Sequence, residues 1–274
     1  MKKLIVIADW ASDLLTCQEF RTTVEGFSHD SDHAKISFVS STPSTIHTSF
    51  LISQIVQTEE RYGTPLKTII FQNTDPRLQS KVGVEKAQGA KFIIIKLKSG
   101  IYLCGPNAGN DFSMIKEKID EVFCYPNLDK GSQFRSRDLF SRVCAHLMDG
   151  MEKQLELEEI HSNEIPEIRD FFVTHIDNYG NIKTSIKLED LKGKYQFGQK
   201  IKICINKTIK LVTFTHNLFG STPGNLVIYP GSSGNSKNPY LEISAWSYFT
   251  ENTPKTGLFY FKEAKPGVKI DLKF

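Results

Sequence analysis

The chain has 274 residues, enough for two ordinary domains, or for one large domain with an appendage, and for a sizeable core. Its 34 basic and 31 acidic residues give a formal net charge of +3, and no basic run is interleaved with aromatics, so nucleic acid is not an expected partner. Five widely spaced cysteines, with no CxxC pair, are typical of reduced and mostly buried thiols.

The first predicted element is the apolar run "LIVIA" (4–8), which follows two lysines and ends at Asp9. Five apolar residues are too few for the core of a signal peptide or for a membrane span. We therefore predict the first strand of a cytoplasmic protein and expect no membrane partner.

Residues 1–165 alternate short apolar runs with amphipathic segments, a pattern typical of an α/β domain. We expect the apolar runs to form a mainly parallel sheet that is covered by helices. The predicted strands are residues 4–8, 36–39, 68–72 and 92–96.

Two helices are predicted in this part of the chain. The first has Ser44 as its N-cap and Gly63 as its stop signal. The second follows "FRSRD" (134–138), with Asp138 near its positive end. Its apolar stripe is typical of a core-facing helix and consists of Leu139, Val143, Leu147 and Met151.

From about residue 166 the chain changes to β-branched and aromatic runs separated by glycine, proline and asparagine. This texture predicts a smaller, mostly antiparallel β domain over residues 166–274. The charged stretch 151–170 connects the two parts, and Pro166 marks a natural boundary.

Carboxylates follow two of the predicted strands, where ligands gather in parallel sheets. Asp9 directly follows the first strand, Asp13 comes four residues later, and Asp75 follows the third strand. Binding or catalysis is one interpretation, and solvated or capping carboxylates are the other. The segment "CGPNAGND" (104–111) is a further candidate, or a simple turn.

Arg135 and Ser136 lie just before the second helix, where backbone N–H groups favour an anion or a polar oxygen. Capping and surface ion pairs are the alternative. The stretch "DNYGN" (177–181) lies between two strand-like runs, and its residue types are also those of a hairpin turn. No metal site is predicted, because the histidines are scattered and form neither HxH nor HExxH.

Several short motifs in a fixed order carry a family resemblance: "ADWASD", "NTDPR", "GPNAG", "FRSRDLFSRVCAHLMDG", "IDNYGNIKTSI" and "YPGSSG". Together they resemble the S-adenosylmethionine (SAM) hydroxide adenosyltransferases and the relatives that place fluoride or chloride on C5′ of SAM. The resemblance implies a Rossmann-like N-terminal domain and an all-β, barrel-like C-terminal domain. It also implies a homotrimer in which one subunit's N-terminal domain and the next subunit's C-terminal domain form the active site.

The resemblance implies a role for each matching residue, with SAM as substrate and no cofactor. Asp177 would hold the amino group, Asn181 would read the adenine, and Tyr179 would line the pocket. The remaining ligands would be Asp9 for the ribose hydroxyls, Asp13 for the methionine ammonium and Ser232 for the methionine carboxylate.

Two positions depart from the pattern of the hydrolases in this family. Val82 stands where they carry an arginine, and Arg135 stands where they carry a histidine. Ser136 matches the serine at the halide site of the fluoride-using relatives, whereas Asp75 matches the hydrolases. The predicted site is therefore a hybrid, in which Arg135 would favour the ionised form of Asp75 and make it a weaker base.

The function implied is hydrolysis of SAM to adenosine and methionine, with the attacking water held by Asp75, Arg135 and Ser136. The hydrolysis is expected to be slow. The alternative is a protein that binds SAM or adenosine without cleaving it. A halogenase is the least favoured interpretation, because the Asp75 carboxylate would repel a halide.

Overall fold

The computed structural model describes residues 2–29, 35–76, 90–125, 132–248 and 254–273. Val82 lies outside these residues. The chain divides into two compact units, Met1–Glu167 and Ile168–Phe274, which are described in turn.

The first unit contains a seven-stranded sheet with the order β2-β1-β3-β5-β4-β6-β7 among the described residues. The strands are β1 (Lys3–Ala8), β2 (Lys35–Ser40), β3 (Thr68–Asn73), β4 (Phe92–Leu97), β5 (Tyr102–Pro106), β6 (Ile119–Cys124) and β7 (Glu158–Glu159). All four predicted strands are confirmed.

The sheet is mixed, whereas the sequence predicted a mainly parallel one. The pairs β2–β1, β1–β3 and β3–β5 are parallel, and the pairs β5–β4, β4–β6 and β6–β7 are antiparallel. Only residues 98–101 join β4 to β5. So short a connection can form a hairpin but not the crossover that a parallel pair requires.

Helices cover both faces of this sheet. They are α1 (Leu14–Phe27), α2 (Thr45–Tyr62) and α3 (Ser141–Met148), with a π-helical turn at Ser136–Phe140 and short 3-10 helices at Pro65–Lys67, Ser113–Lys118, Glu152–Leu155 and Ser162–Glu164. The predicted caps of α2 are confirmed, because Ser44 Oγ accepts a hydrogen bond from the His47 N–H and Gly63 follows the last turn.

The second predicted helix is shorter than its apolar stripe suggested. Leu139, Val143 and Leu147 are buried as expected, but Met151 lies beyond the end of α3. Gly150 has a φ of +72°, and its N–H and that of Met151 bond back to carbonyls of the last turn. The left-handed glycine thus terminates the helix before Met151.

Two apolar clusters lie on opposite faces of the sheet. Leu4, Val6 and Phe71 pack with α1 and α3, whereas Ile5, Ile7 and Ile70 pack with α2. Because successive side chains of a strand point to opposite faces, this alternation explains why the strand sequences are apolar throughout.

The second unit is a closed barrel with the order β10-β11-β12-β13-β9-β8-β14. Its strands are β8 (Phe171–Ile176), β9 (Ile182–Lys187), β10 (Lys200–Ile205), β11 (Thr208–Phe214), β12 (Val227–Asn235), β13 (Asn238–Ser244) and β14 (Lys269–Lys273), with short helices α4 (Leu188–Leu191) and α5 (Gly257–Tyr260). All pairs are antiparallel except β11–β12. The predicted α/β domain and barrel-like β domain are both confirmed.

All five cysteines are free thiols, and four of them are buried. Within the described ranges, no helix has the length and apolar character needed to cross a membrane.

Candidate functional site

The N-terminal candidate site lies where the sheet changes its winding direction. β1 has β2 on one side and β3 on the other, so the carboxyl ends of β1 and β3 mark a switch point at which open α/β sheets bind ligands. Asp9 directly follows β1, and its N–H donates to the carbonyl of Asn73 at 3.4 Å. Asp75 follows β3 by two residues. The structure thus places two predicted carboxylates at adjacent strand ends.

The π-helical turn brings Ser136 and Arg135 to the same strand end. The side-chain amide of Asn73 donates a hydrogen bond to Ser136 Oγ, and Ser136 is buried. The Arg135 guanidinium lies 4.9 Å from the centre of the Phe140 ring. Burial lowers the pKa of Arg135, and the charge of Asp75 opposes that shift. The structure therefore brings Asp75, Arg135 and Ser136 into one neighbourhood, and their catalytic role stays a prediction.

A backbone N–H holds Asp75, and buried hydroxyls hold the residue before it. Its Oδ2 accepts a hydrogen bond from the Ala90 N–H at 3.2 Å. The preceding residue, Thr74, is fully buried, and its hydroxyl lies 3.1 Å from Ser41 Oγ and 2.7 Å from Thr48 Oγ1. These contacts fix the position of the chain just before the carboxylate.

Asp111 is an acidic residue of this neighbourhood that sequence reasoning did not single out. It lies in the candidate segment 104–111, its side chain is fully buried, and Oδ2 accepts a hydrogen bond from the Ala108 N–H at 3.1 Å. Its Oδ1 has no hydrogen-bond partner among the described residues. Burial, with the charges of Asp75 and Asp9, raises the pKa of Asp111 to about 8.

Asp13 acts as the N-cap of α1 in this structure. Its carboxylate accepts hydrogen bonds from the Leu15 N–H at 3.0 Å and from the Thr16 hydroxyl at 2.8 Å. These two bonds lower the pKa of Asp13, which is exposed. The capping interpretation of Asp13 is therefore confirmed, and its role toward an ammonium group stays a prediction.

The stretch "DNYGN" forms a hairpin turn between β8 and β9. Asp177 Oδ1 accepts hydrogen bonds from the N–H groups of Tyr179 and Asn181, both at 3.0 Å, and Oδ2 accepts one from Asn181 Nδ2 at 2.9 Å. Gly180 has a φ of +78°, which suits glycine in such a turn. The turn interpretation is confirmed.

A role for these three residues in ligand binding stays a prediction. The Oδ1 atom of Asn181 accepts a hydrogen bond from the Ser244 hydroxyl, so both polar atoms of its amide have partners in the barrel. The Tyr179 side chain is 64% exposed at the tip of the turn.

Ser232 lies in an irregular stretch of β12, beside a charged pair that sequence reasoning missed. Lys183 Nζ is 2.5 Å from Glu242 Oε1, and both side chains are largely buried. The N–H and hydroxyl of Ser232 donate to the same Glu242 oxygen at 3.1 and 3.3 Å. Glu242 lies in the run "YLEIS" (240–244), and nothing in the sequence pairs it with Lys183.

The described residues contain no group of three or more potential metal ligands. The candidate residues supply carboxylates, hydroxyls and amides in each of the two units, with the cation Arg135 in the first unit and the cation Lys183 in the second. Such groups suit a polar organic ligand that carries positive charge.

The family model and the sequence relative that match this chain both name SAM in their descriptions. Residues 172–243 match the family model described as the SAM hydroxide adenosyltransferase C-terminal domain. Over 179 residues the chain is 34% identical to a protein of Methanocaldococcus jannaschii named (R)-S-adenosyl-L-methionine hydrolase. That match spans 60% of this chain and 61% of the relative's length.

Solved structures with the same fold cover the whole chain. A conserved protein from Thermotoga maritima aligns over 99% of this chain and 100% of its own, with a TM-score of 0.69 and 18% identity. A conserved protein from Thermus thermophilus aligns over 100% of both chains, with a TM-score of 0.62 and 13% identity. At these identities the likeness shows the fold alone.

Proposed function

We propose that this chain belongs to the SAM hydroxide adenosyltransferase family and that it hydrolyses SAM to adenosine and methionine. The observation that carries the proposal is the neighbourhood of Asp75, Arg135 and Ser136 at the switch point of the sheet. These groups combine a carboxylate that can orient water with a hydroxyl and a cation that can polarise it.

The proposed reaction is a displacement at C5′. A water oxygen forms a bond to C5′ while the C5′–S bond breaks, the electron pair goes to sulfur, and methionine leaves as a neutral thioether. The leaving group needs no proton, so the protein has only to position water and accept the proton that water loses. Asp75 accepts a hydrogen bond from the attacking water and directs it toward C5′.

Ser136 holds the same water from a second direction. Its Oγ accepts the hydrogen bond of Asn73, so its own proton is directed elsewhere and is offered to the water oxygen. The positive charge of Arg135 attracts the Asp75 carboxylate and so competes with the water for it. We therefore expect the hydrolysis to be slow.

We extend the proposal to the substrate contacts and the assembly. Asp9 binds the ribose hydroxyls, Asp13 and Asp177 bind the ammonium, Asn181 reads the adenine, and Tyr179 and Ser232 complete the pocket. Since these residues fall in both units of the chain, the proposed assembly is a homotrimer in which neighbouring subunits complete each site. Light scattering tests this, because a particle with the mass of one chain would contradict it.

A second candidate function is binding of SAM or adenosine without cleavage. The observation that favours it is the hairpin at Asp177 and Asn181, whose side chains already have partners within the barrel. Such a protein would keep a pocket for the ligand but would lack turnover.

The deciding experiment uses purified protein, SAM and water labelled with oxygen-18. The assay includes both sulfonium epimers, because the relative from Methanocaldococcus jannaschii is named for the (R) form. Hydrolysis at C5′ gives adenosine that carries the label in its 5′-hydroxyl. Saturable binding of SAM by calorimetry, with no adenosine above a protein-free blank, would favour the second candidate. A 5′-halogenated product in the presence of chloride would favour the halogenase.

A further inference from the structure

The carboxyl ends of three adjacent parallel strands are each followed by an acidic residue. β3 lies between β1 and β5 and is parallel to both. Asp9 directly follows β1, Asp75 follows β3 by two residues, and Asp111 follows β5 by five residues. Because parallel strands end at the same edge of a sheet, the three carboxyl groups lie in one region. The proposed reaction and its substrate contacts use only the first two of them.

The turn after β5 holds Asp111 inside the protein. Its Oδ2 accepts a hydrogen bond from the Ala108 N–H at 3.1 Å, and its side chain is fully buried. The next residue, Phe112, belongs to the apolar cluster under α2, and the Met114 N–H donates to Ser49 Oγ on that helix at 2.9 Å. The packing of its neighbours therefore fixes Asp111 away from solvent.

One oxygen of this buried carboxyl group has nothing to satisfy it. The Oδ1 atom of Asp111 makes no hydrogen bond to any of the described residues. An ionised carboxylate in such a position loses its hydration without compensation, so the neutral acid is favoured. The geometry alone thus predicts a protonated Asp111 in the absence of a nearby positive charge.

The charged groups around Asp111 favour the same protonation state. Burial and the negative charges of Asp75 and Asp9 raise the pKa of Asp111 to about 8. Near pH 7 Asp111 therefore carries a proton in the free protein. The other titratable groups on neighbouring elements have contacts of their own or are exposed: His47 Nδ1 on α2 accepts from the Thr42 N–H, Lys116 pairs with Glu167, Lys118 pairs with Glu60, and Lys91 is exposed.

We propose that Asp111 receives the proton that the attacking water loses, after the positive charge of bound SAM has displaced the proton that Asp111 carries in the free protein. This inference rests on the proposed function, because it requires a cationic substrate and a reaction that releases a proton. Asp111 acts through Asp75, which orients the water. It is therefore a positioning residue for the transferred proton.

The charges balance at each step of this transfer. A sulfonium bound beside Asp75 adds a positive charge to the region, so Asp111 ionises and its proton goes to solvent. In the displacement the water oxygen bonds to C5′, the C5′–S bond breaks, and its electron pair removes the positive charge of sulfur. Asp111 then regains its affinity for a proton as the water loses one, and that proton passes through Asp75 to Asp111. The turnover restores the free state and releases one proton to solvent for each SAM cleaved.

The first measurement counts the protons released when SAM binds. Calorimetry near pH 7 in two buffers with different ionisation enthalpies gives this number for the wild type and for Asp111→Asn. The wild type should release between about 0.5 and 1 proton more than the variant, because only the wild type has an acidic proton at this position to lose. The comparison cancels proton exchange by the ammonium group of SAM and by the other carboxylates.

S-adenosylhomocysteine separates the effect of charge from that of shape, because it lacks only the methyl group and the positive charge of SAM. Its binding should release equal numbers of protons from the wild type and from Asp111→Asn. The matched control is Asp120→Asn, an exposed carboxylate on β6, which should behave like the wild type with both ligands.

The second measurement is the single-turnover rate of adenosine formation. Asp111→Asn should be slower than the wild type by roughly 10- to 100-fold, because direct proton transfer contributes about 100-fold or more and Asp111 acts through Asp75. Asp111→Thr, a second neutral variant, provides the same two comparisons if the asparagine variant does not fold.

The outcomes separate this inference from the proposed function. A slower variant that releases as many protons as the wild type would make Asp111 merely structural. Adenosine formation at the same rate in wild type and variant would contradict this inference and leave the proposed function intact. A wild type that forms no adenosine would contradict the proposed function, and the proton transfer with it.

Discussion

The side-chain amide of Asn73, the last residue of β3, donates a hydrogen bond to Ser136 Oγ in the π-helical turn. The bond joins segments that are 63 positions apart in the sequence and fixes the orientation of the serine hydroxyl. π-Helical turns inside α-helices occur frequently at functional sites. Here the turn directs Ser136 toward the carboxyl end of β3, where Asp75 follows.

Ser136→Ala should slow adenosine formation while leaving SAM binding unchanged. The substitution removes the hydroxyl proton that we propose is donated to the water, so we expect a loss of about tenfold in rate, on the scale of one neutral hydrogen bond. Single-turnover chromatography measures the rate, and calorimetry measures the affinity. Ser53→Ala on α2 is the matched control. A parallel loss of affinity and rate would show that Ser136 contacts the substrate instead.

Asp75→Asn should abolish most of the hydrolysis, because it keeps the shape of the side chain and removes the group that accepts the proton of water. We expect a decrease of about 100-fold or more, the range for general-base catalysis. The control is Asp120→Asn, an exposed carboxylate on β6. A rate within a few-fold of wild type would show that Asp75 does not hold the attacking water.

Arg135→His should raise the rate of hydrolysis if the hybrid site is an impaired version of the hydrolase site. The substitution removes the permanent positive charge that attracts the Asp75 carboxylate, so no fixed cation competes with the attacking water for that carboxylate. The measurement is the initial rate of adenosine release near neutral pH, with Arg142→His on α3 as control. A slower variant would show that the guanidinium itself contributes to catalysis.

The sequence predicted most of the fold because its signals were local. Apolar runs gave the strands, and Ser44 and Gly63 marked the ends of α2. The antiparallel half of the sheet was missed, because pairing direction depends on connection length and tertiary packing rather than on composition. The stop of α3 at Gly150 was missed because the apolar period continued past it.

The candidate site was predictable in part, for a similar reason. Residues that follow strands, such as Asp9 and Asp75, can be placed from the order of elements alone. Asp111 and the Lys183–Glu242 pair could not be found that way. Their character depends on burial and on partners brought together from distant positions, such as β9 and β13.

Asp177→Asn should reveal both roles of the hairpin residue. The variant keeps the turn, since asparagine also forms such turns, but it weakens the bond to Asn181 Nδ2, so we expect a loss of about 1 kcal/mol in unfolding free energy. Loss of the charge should also weaken SAM binding by roughly 1.5–3 kcal/mol, the scale of a charged hydrogen bond. Urea unfolding and calorimetry measure the two effects separately. Reduced stability with unchanged affinity would leave Asp177 as a turn residue only.

Asp111 makes the free energy of unfolding depend on pH, and replacing it by asparagine should remove this dependence. Its pKa is about 8 in the folded chain, against a value of 3.8 for the unperturbed group. The folded state therefore binds more protons than the unfolded state between these values, and stability falls as pH rises from about 4 to about 8. In the folded chain Asp111 keeps its proton through most of this window, and stability is lost because the same group ionises in the unfolded state.

Asp111→Asn mimics the protonated carboxyl, because the amide is neutral and its oxygen can still accept the hydrogen bond of the Ala108 N–H. The difference in unfolding free energy between variant and wild type should thus shift in favour of the variant by about 4 kcal/mol from pH 5 to pH 8, which is one proton over three pH units. Urea unfolding at the two pH values measures this difference, and Asp120→Asn should show none. The charge of Asp75 contributes to the raised pKa of Asp111. The unfolding free energy of the single variant Asp75→Asn should therefore depend less on pH than that of the wild type. A difference that stays constant with pH would mean that Asp111 is ionised in the folded protein, balanced by a cation that replaces its proton.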